Sequence, residues 1–168
     1  MIRVWIGLGS NLDNPLSQLQ NAVAALRELP ETHVVAVSPV YRNPALLPPG
    51  APPASQPDYL NAVACADTLL SPQALLIRLQ AIENTQRRTR EQRWGARTLD
   101  LDLLLYGDTV LATEMLTIPH PGMRDRLFVL QPLFDLAPEL VMPDGCPLAD
   151  ALAACPATTL ERIAADAC

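Results

Sequence analysis

Residues 93–106 read RWGARTLDLDLLLY, and from position 98 to 106 the pattern is that of a β-strand, closed by Gly107-Asp108. Successive side chains on a strand point to opposite faces, so Asp100 and Asp102 share one face, roughly 6–7 Å apart along the strand. Two like charges on one face of an otherwise apolar strand are costly unless a cation lies beside them. Hard cations such as Mg²⁺ take oxygen ligands, commonly one or two carboxylates completed by water and substrate phosphates. Immediately upstream, Arg87, Arg88, Arg90, Arg93 and Arg97 fall within eleven residues, and the guanidinium fork matches phosphate oxygens bidentately. Carboxylates for a metal beside arginines for phosphate point to nucleotide chemistry. The blander alternatives are two solvated acids and a solvated charged loop, since a D-x-D pair alone occurs in many unrelated proteins.

The flanking sequence supplies the other elements. Ser71 and Pro72 start a helix as N-cap and first-turn residue, and Leu75, Leu76, Leu79, Ile82 and Glu83 continue it towards Arg87. Residues 59–68 (YLNAVACADT) alternate as a strand, and residues 33–41 (HVVAVSPVY) form another, with Pro39 marking an edge or bulge. At the N-terminus, residues 2–8 read as a buried strand closed by a Gly9-Ser10-Asn11 turn. Pro15 then opens a helix that runs to Leu29. Beyond Tyr106, Val110-Leu111 and residues 116–118 give short strands, 126–136 a third helix and 148–154 a fourth. Strand-helix-strand taken twice is the βαββαβ order of a ferredoxin-like α+β sandwich with an antiparallel sheet. The last two helices are additions to it, and residues 1–168 form a single domain.

Residues 44–57 break the pattern. Six prolines (Pro44, Pro48, Pro49, Pro52, Pro53 and Pro57) with Gly50 leave no room for helix or ladder. Loops of this length in compact domains are usually functional or disordered.

Composition narrows the function. The chain is 49% hydrophobic and 18% charged, which excludes disorder. A net charge of −6 argues against a general nucleic-acid binder and makes the local arginine cluster stand out. All twelve basic residues are arginine. Without lysine, a Walker-type phosphate loop and Schiff-base catalysis are both closed. Cys65, Cys146, Cys155 and Cys168 have no metal-binding spacing and read as free thiols of a cytoplasmic protein. The apolar N-terminal run is too short for a membrane span.

Outside the Arg–Asp block, Tyr59 and Asn61 share a strand face, where a ring can stack and an amide can read the edge of a flat heterocycle. Core packing produces the same pair. His120, in Thr117-Ile-Pro-His-Pro121, precedes Arg124 and Arg126 and is either structural or phosphate-contacting. Glu83 either holds an arginine or touches a ligand. Gly7, Gly9 and Ser10 offer a G-x-G phosphate loop, but no third glycine follows and they read as a turn.

Five segments together resemble the 6-hydroxymethyl-7,8-dihydropterin pyrophosphokinases of folate synthesis: GLGSNLDNP (7–15), YRNPAL (41–46), QPDYLNA (56–62), RWGARTLDLDLLLYG (93–107) and TIPHPGMRDRLFVLQPLFDLAPEL (117–140). They cover most of the chain in the family's order, and the RTLDLD block with the later PH segment is specific. The resemblance implies a ferredoxin-like fold and transfer of the β,γ-pyrophosphoryl group of ATP to the pterin's hydroxymethyl oxygen, releasing AMP. It implies that Asp100 and Asp102 hold two Mg²⁺ ions bridging the ATP phosphates. Arg88, Arg90, Arg97, His120 and Arg126 would contact phosphates, Arg88 and Arg97 in catalytic roles. Gln80, Glu83, Trp94, Leu103 and Thr117 match positions around ATP and the closing loop. Tyr59 and Phe128 would sandwich the pterin, read at its edge by Asn61 and by the backbone of Asn43, Pro44 and Leu46. Both loops would close over the site, and the protein would be a monomer acting on small molecules, with no nucleic acid or membrane partner.

Departures from the family pattern are Asn43 where Thr is common, Pro121 where Tyr is frequent, and Met115 where a basic residue can occur. The Pro-rich loop is longer than usual and the Arg loop about one residue shorter. Two other readings share the topology: a non-catalytic nucleotide-binding or regulatory domain, and an RNA-binding sheet, which few aromatics and an acidic balance disfavour.

Overall fold

The computed structural model describes residues 1–12, 14–45, 47, 49–52, 56–88 and 99–168, with backbone alone at 87 and 88. Strands β1 (Ile2–Ser10), β2 (Thr32–Val37), β3 (Pro39–Asn43), β4 (Tyr59–Thr68), β5 (Asp100–Tyr106) and β8 (Glu161–Asp166) form one sheet. Helices α1 (Pro15–Arg27) and α2 (Pro72–Arg88) connect them, and β6 (Leu111–Ala112) and β7 (Thr117–Ile118) make a separate two-stranded hairpin. The third helix, α3 (Leu127–Leu136), follows a 3-10 turn at Met123–Asp125, and α4 is Leu148–Ala154.

The sheet runs β5-β1-β4-β3-β8, with β2 also on β4, and every pairing is antiparallel. This is the ferredoxin-like arrangement expected from the order of elements. One expected strand, residues 33–41, is two. Ser38 interrupts it: its N–H donates to the Val63 carbonyl (2.8 Å) while its Oγ accepts the Val63 N–H (2.8 Å). Both backbone groups of Val63 are thereby satisfied where the ladder breaks, and Pro39, which has no N–H to give, starts the next strand.

Alternation along the strands sends residues into two apolar layers. Val4, Ile6, Leu8, Ala62, Ala64, Leu101 and Leu103 pack with Leu19, Val23 and Leu26 of α1 and Leu75 and Leu79 of α2. On the opposite face Trp5, Val63, Cys65, Leu104 and Leu105 pack against Val129, Leu130 and Leu133 of α3 and Leu148 of α4. Leu104 and Leu105 both join this second layer because the register slips between Trp5 and Ile6, leaving Leu104 as the extra residue of a bulge.

Helix α2 has the expected cap, the Ala74 N–H donating to Ser71 Oγ at 3.1 Å. In α1 the expected end at Leu29 is a little long, since the helix stops at Arg27. The described residues of the Pro-rich segment lie outside helix and strand, as its composition requires. The sheet differs from expectation in two further places. Gly7, Gly9 and Ser10 belong to β1 and not to a turn, because the ladder with β4 continues through Gly7↔Val63 and Gly9↔Asn61 to Ser10↔Leu60. Strand β8, unanticipated, adds to the edge of β3 through Tyr41↔Arg162 and Arg42↔Glu161.

Candidate active site

The face of the sheet that carries α3 at one end is open at the other, where β1 has no side chains. Gly7 pairs with Asp102 on one side and Val63 on the other, while Gly9 pairs with Asp100 and Asn61. Asn61 pairs in turn with Tyr41, and Tyr59 with Asn43. A row Asp100–Gly9–Asn61 thus crosses three strands with bare backbone in the middle. These residues, with Arg126, Phe128 and Val129 beyond them, line a cavity of about 160 Å³. The glycine at position 9 is required by its neighbour, since a Cβ there would lie 2.8 Å from Asn61 Oδ1.

One wall is acidic and the other is amide and aromatic. Asp100 and Asp102 share the open face, as their spacing predicts. Burial raises the Tyr59 hydroxyl above its usual pKa, and the negative charge of Asp100 pushes it the same way, so this ring stays neutral. Asn61 and Asn43 are buried, and the Asn61 Nδ2 donates to Asn43 Oδ1. Phe128, in the first turn of α3, faces the same cavity as Tyr59.

Asp102 also lines a second hollow of about 250 Å³, together with Leu76, Leu103, Met115, Thr117 and His120. The backbone puts His120 there: its N–H donates to the Leu104 carbonyl (3.0 Å) and it follows a cis Ile118–Pro119 peptide. The Gly122 N–H donates to His120 Nδ1 at 3.2 Å, so Nδ1 is the acceptor nitrogen and the proton of the neutral ring sits on Nε2. Nε2 lies 3.8 Å from Asp102 Oδ1. Burial lowers the His120 pKa most, opposed by Asp102 and reinforced by Arg126.

Arg126, the residue that precedes α3, reaches the first cavity past Gly122, where a Cβ would lie 2.9 Å from the guanidinium carbon. Glu83, near the end of α2, accepts the Leu101 N–H at 2.8 Å and so grips β5 between the two aspartates. Gln80 is exposed on α2 and lines neither hollow, and Pro44 is exposed with its carbonyl accepting from Asn43 Nδ2 at 3.0 Å. Leu46, Arg90, Trp94, Arg97 and the side chain of Arg88 lie outside the described residues. Sequence reasoning missed Gly7, Gly9 and Gly122 as shapers of the site. The period-two pattern Trp5-x-Gly7-x-Gly9 carried that signal for the first two.

Among the described residues no cluster of three or more His, Cys, Asp or Glu forms a complete protein cage for a metal. Two carboxylates on an open face instead suit a hard cation whose remaining positions are filled by water and substrate oxygens.

A ferredoxin-like sheet with two adjoining hollows, joined by a carboxylate, suits a transferase that brings two substrates together. Residues 5–138 match the family 7,8-dihydro-6-hydroxymethylpterin-pyrophosphokinase (HPPK). The chain is 52% identical over 161 residues to the 2-amino-4-hydroxy-6-hydroxymethyldihydropteridine pyrophosphokinase of Pseudomonas aeruginosa, covering 96% of each. To the enzyme of the same name from Haemophilus influenzae it is 51% identical over 145 residues, 86% of this chain and 88% of that one. The fold is similar to that of the solved Plasmodium falciparum HPPK-DHPS (wild type with SDX-DHP), with a TM-score of 0.67 at 13% identity over 91% of this chain. This chain spans 43% of that longer one. The chain belongs to the HPPK family and is an ATP-using pyrophosphokinase.

Proposed function

We propose that this protein transfers the β,γ-pyrophosphoryl group of ATP to the hydroxymethyl oxygen of 6-hydroxymethyl-7,8-dihydropterin, giving AMP and the pterin diphosphate, with the two hollows dividing the substrates between them. The observation that carries the reading is Asp102, which lines both. The pterin takes the cavity between Tyr59 and Phe128, its edge read by Asn61, and ATP takes the hollow of Leu103, Thr117 and His120.

Asp100 and Asp102 are the residues that would hold Mg²⁺, two ions in this reading. When bound, these ions neutralise phosphate charge and favour displacement at phosphorus. The protein's own part is positioning. Glu83 fixes the strand that presents the acids. His120 offers its Nε2–H, and Arg126 its guanidinium, to phosphate oxygens on the rim shared with Asp102. Stacking between Tyr59 and Phe128 holds the ring over the bare backbone of Gly7 and Gly9, so the hydroxymethyl group is oriented before the donor arrives. Arg88, Arg90, Arg97, Trp94 and Gln80 belong to the same reading as ATP-side residues, and Asn43, Pro44 and Leu46 as pterin-side residues. In this reading the enzyme works as a monomeric single domain. A cytoplasmic setting fits its four free cysteines, and among the described residues no helix is long and apolar enough to cross a membrane.

Product analysis with ATP, Mg²⁺ and the dihydropterin tests the reading. Pterin-dependent AMP without ADP supports it. ADP formation, or no turnover of nucleotide, overturns it.

A further inference from the structure

The amide of Asn61 is not free to choose which end it shows the cavity. The chain of constraint starts at a backbone carbonyl. Pro44 C=O can only accept, so Asn43 must turn its Nδ2 towards it, and does so at 3.0 Å. That leaves Asn43 Oδ1, again only an acceptor, facing Asn61, which must present its own Nδ2. Asn61 Oδ1 is then directed over Gly9, where a built Cβ would lie only 2.8 Å from it, on the floor of the cavity. Both amides are buried, Asn43 5% and Asn61 7% exposed, so water competes little for these bonds.

We infer that Asn43 is a positioning and specificity residue: its side chain fixes the hydrogen-bond polarity of Asn61, so that the cavity offers a carbonyl oxygen to a heterocycle edge bearing an N–H. The inference rests on the proposal that this cavity takes the pterin ring. A ring with a lactam edge carries a donor at N3. Its 2,4-diamino counterpart has an unprotonated acceptor at the same atom, which would meet Asn61 Oδ1 lone pair to lone pair. Discrimination between the two rings is therefore set one residue away from the contact.

The experiment measures dissociation constants of 6-hydroxymethylpterin and 2,4-diamino-6-hydroxymethylpteridine for the full chain, with KM for ATP alongside. In Asn43→Ala the Asn61 amide can turn over. Lactam affinity is expected to fall about tenfold while the diamino ring holds or gains affinity, narrowing the preference, with KM for ATP unchanged. In Asn43→Asp a carboxylate still accepts from Asn61 Nδ2, so the preference for the lactam is expected to persist. Equal loss for both rings in Asn43→Ala, or no change for either, overturns the inference, as does loss of preference in Asn43→Asp. Asn61→Ala separates the two levels: lactam binding untouched by that change removes the pterin assignment itself, whereas a loss there with Asn43→Ala silent removes only the role of Asn43.

Discussion

Asp102 and His120 face one another where the two hollows meet, Oδ1 to Nε2 at 3.8 Å. The two residues lie on different elements, β5 and the turn after β7, and one link between those elements is the His120 N–H to Leu104 carbonyl bond. The carboxylate and the imidazole therefore keep their separation through the backbone of the bulge. A neutral ring held by the Gly122 N–H at Nδ1 keeps a donor, and not a lone pair, turned towards anionic oxygen.

Removing either acid should end turnover without unfolding the chain. Asp100→Ala and Asp102→Ala are each expected to fall below about a tenth of the wild-type rate, a loss of more than about 1.4 kcal/mol in transition-state stabilisation. Thermal stability without metal should hold or rise, because the strand face loses like charge. A variant retaining more than this rate would remove the metal-holding role.

Substrate affinities should separate along the two hollows. Tyr59→Ala and Phe128→Ala each delete one face of the ring site and should weaken pterin binding about 10- to 100-fold, with ATP binding nearly unchanged. Titration calorimetry with each substrate in turn decides this, and equal losses for both would place the pocket elsewhere.

The glycine beside Arg126 is expected to matter for activity more than for stability. In Gly122→Ala the new methyl meets the guanidinium, the far end of a flexible side chain, so Arg126 moves aside at a stability cost of about 0.5 kcal/mol or less. Steady-state kinetics should show kcat/KM for ATP down about tenfold. An unchanged value would show that Arg126 does not act on the donor.

Glu83 should behave in the opposite sense, as a support whose loss is felt in folding. Glu83→Ala strips an acceptor from the buried Leu101 N–H, which should cost about 1–3 kcal/mol in urea unfolding. Glu83→Gln keeps an acceptor and should recover most of that loss. If both variants unfold like wild type, the contact does not anchor β5.

Acid should weaken one surface pair in a defined window. Arg3 Nε and Nη2 donate to the two oxygens of Asp67 at 2.6 and 3.1 Å, holding its carboxyl below the usual pKa. A carboxyl lowered in the folded state contributes stability above its unfolded value of about 3.9, and loses it as pH falls through the lowered folded value. The pair is exposed, so the effect is small. Asp67→Asn should melt below wild type near neutrality, and the two curves should converge once the pH falls below the lowered folded value. A constant gap across that range would mean that the bridge is not its source.

Much of this architecture is legible in the sequence because burial enforces period. Strand β4 and helix α4 have the bounds that alternation and helical spacing predict, and the two aspartates lie on one face because a strand allows nothing else. What escapes is set by partners distant in the chain. Strand β8 has mostly exposed residues and exists because the edge of β3 is there to pair with. Gly9 and Ser10 have turn chemistry, yet the ladder to Asn61 and Leu60 draws them into β1. The amide relay from Pro44 to Asn61 depends on buried side-chain geometry that no local pattern encodes.

The bulge at Leu104 divides β5 into two independently phased halves. Downstream of it, Leu105 and Tyr106 pair with Trp5 and Val4. Upstream, a slip of a single residue would turn Asp100 and Asp102 into the apolar layer and bring Leu101 and Leu103 out in their place. A strand misaligned by one residue would have to bury two carboxylates among leucines, so the same acids proposed to serve the reaction also penalise every odd-residue slip during folding.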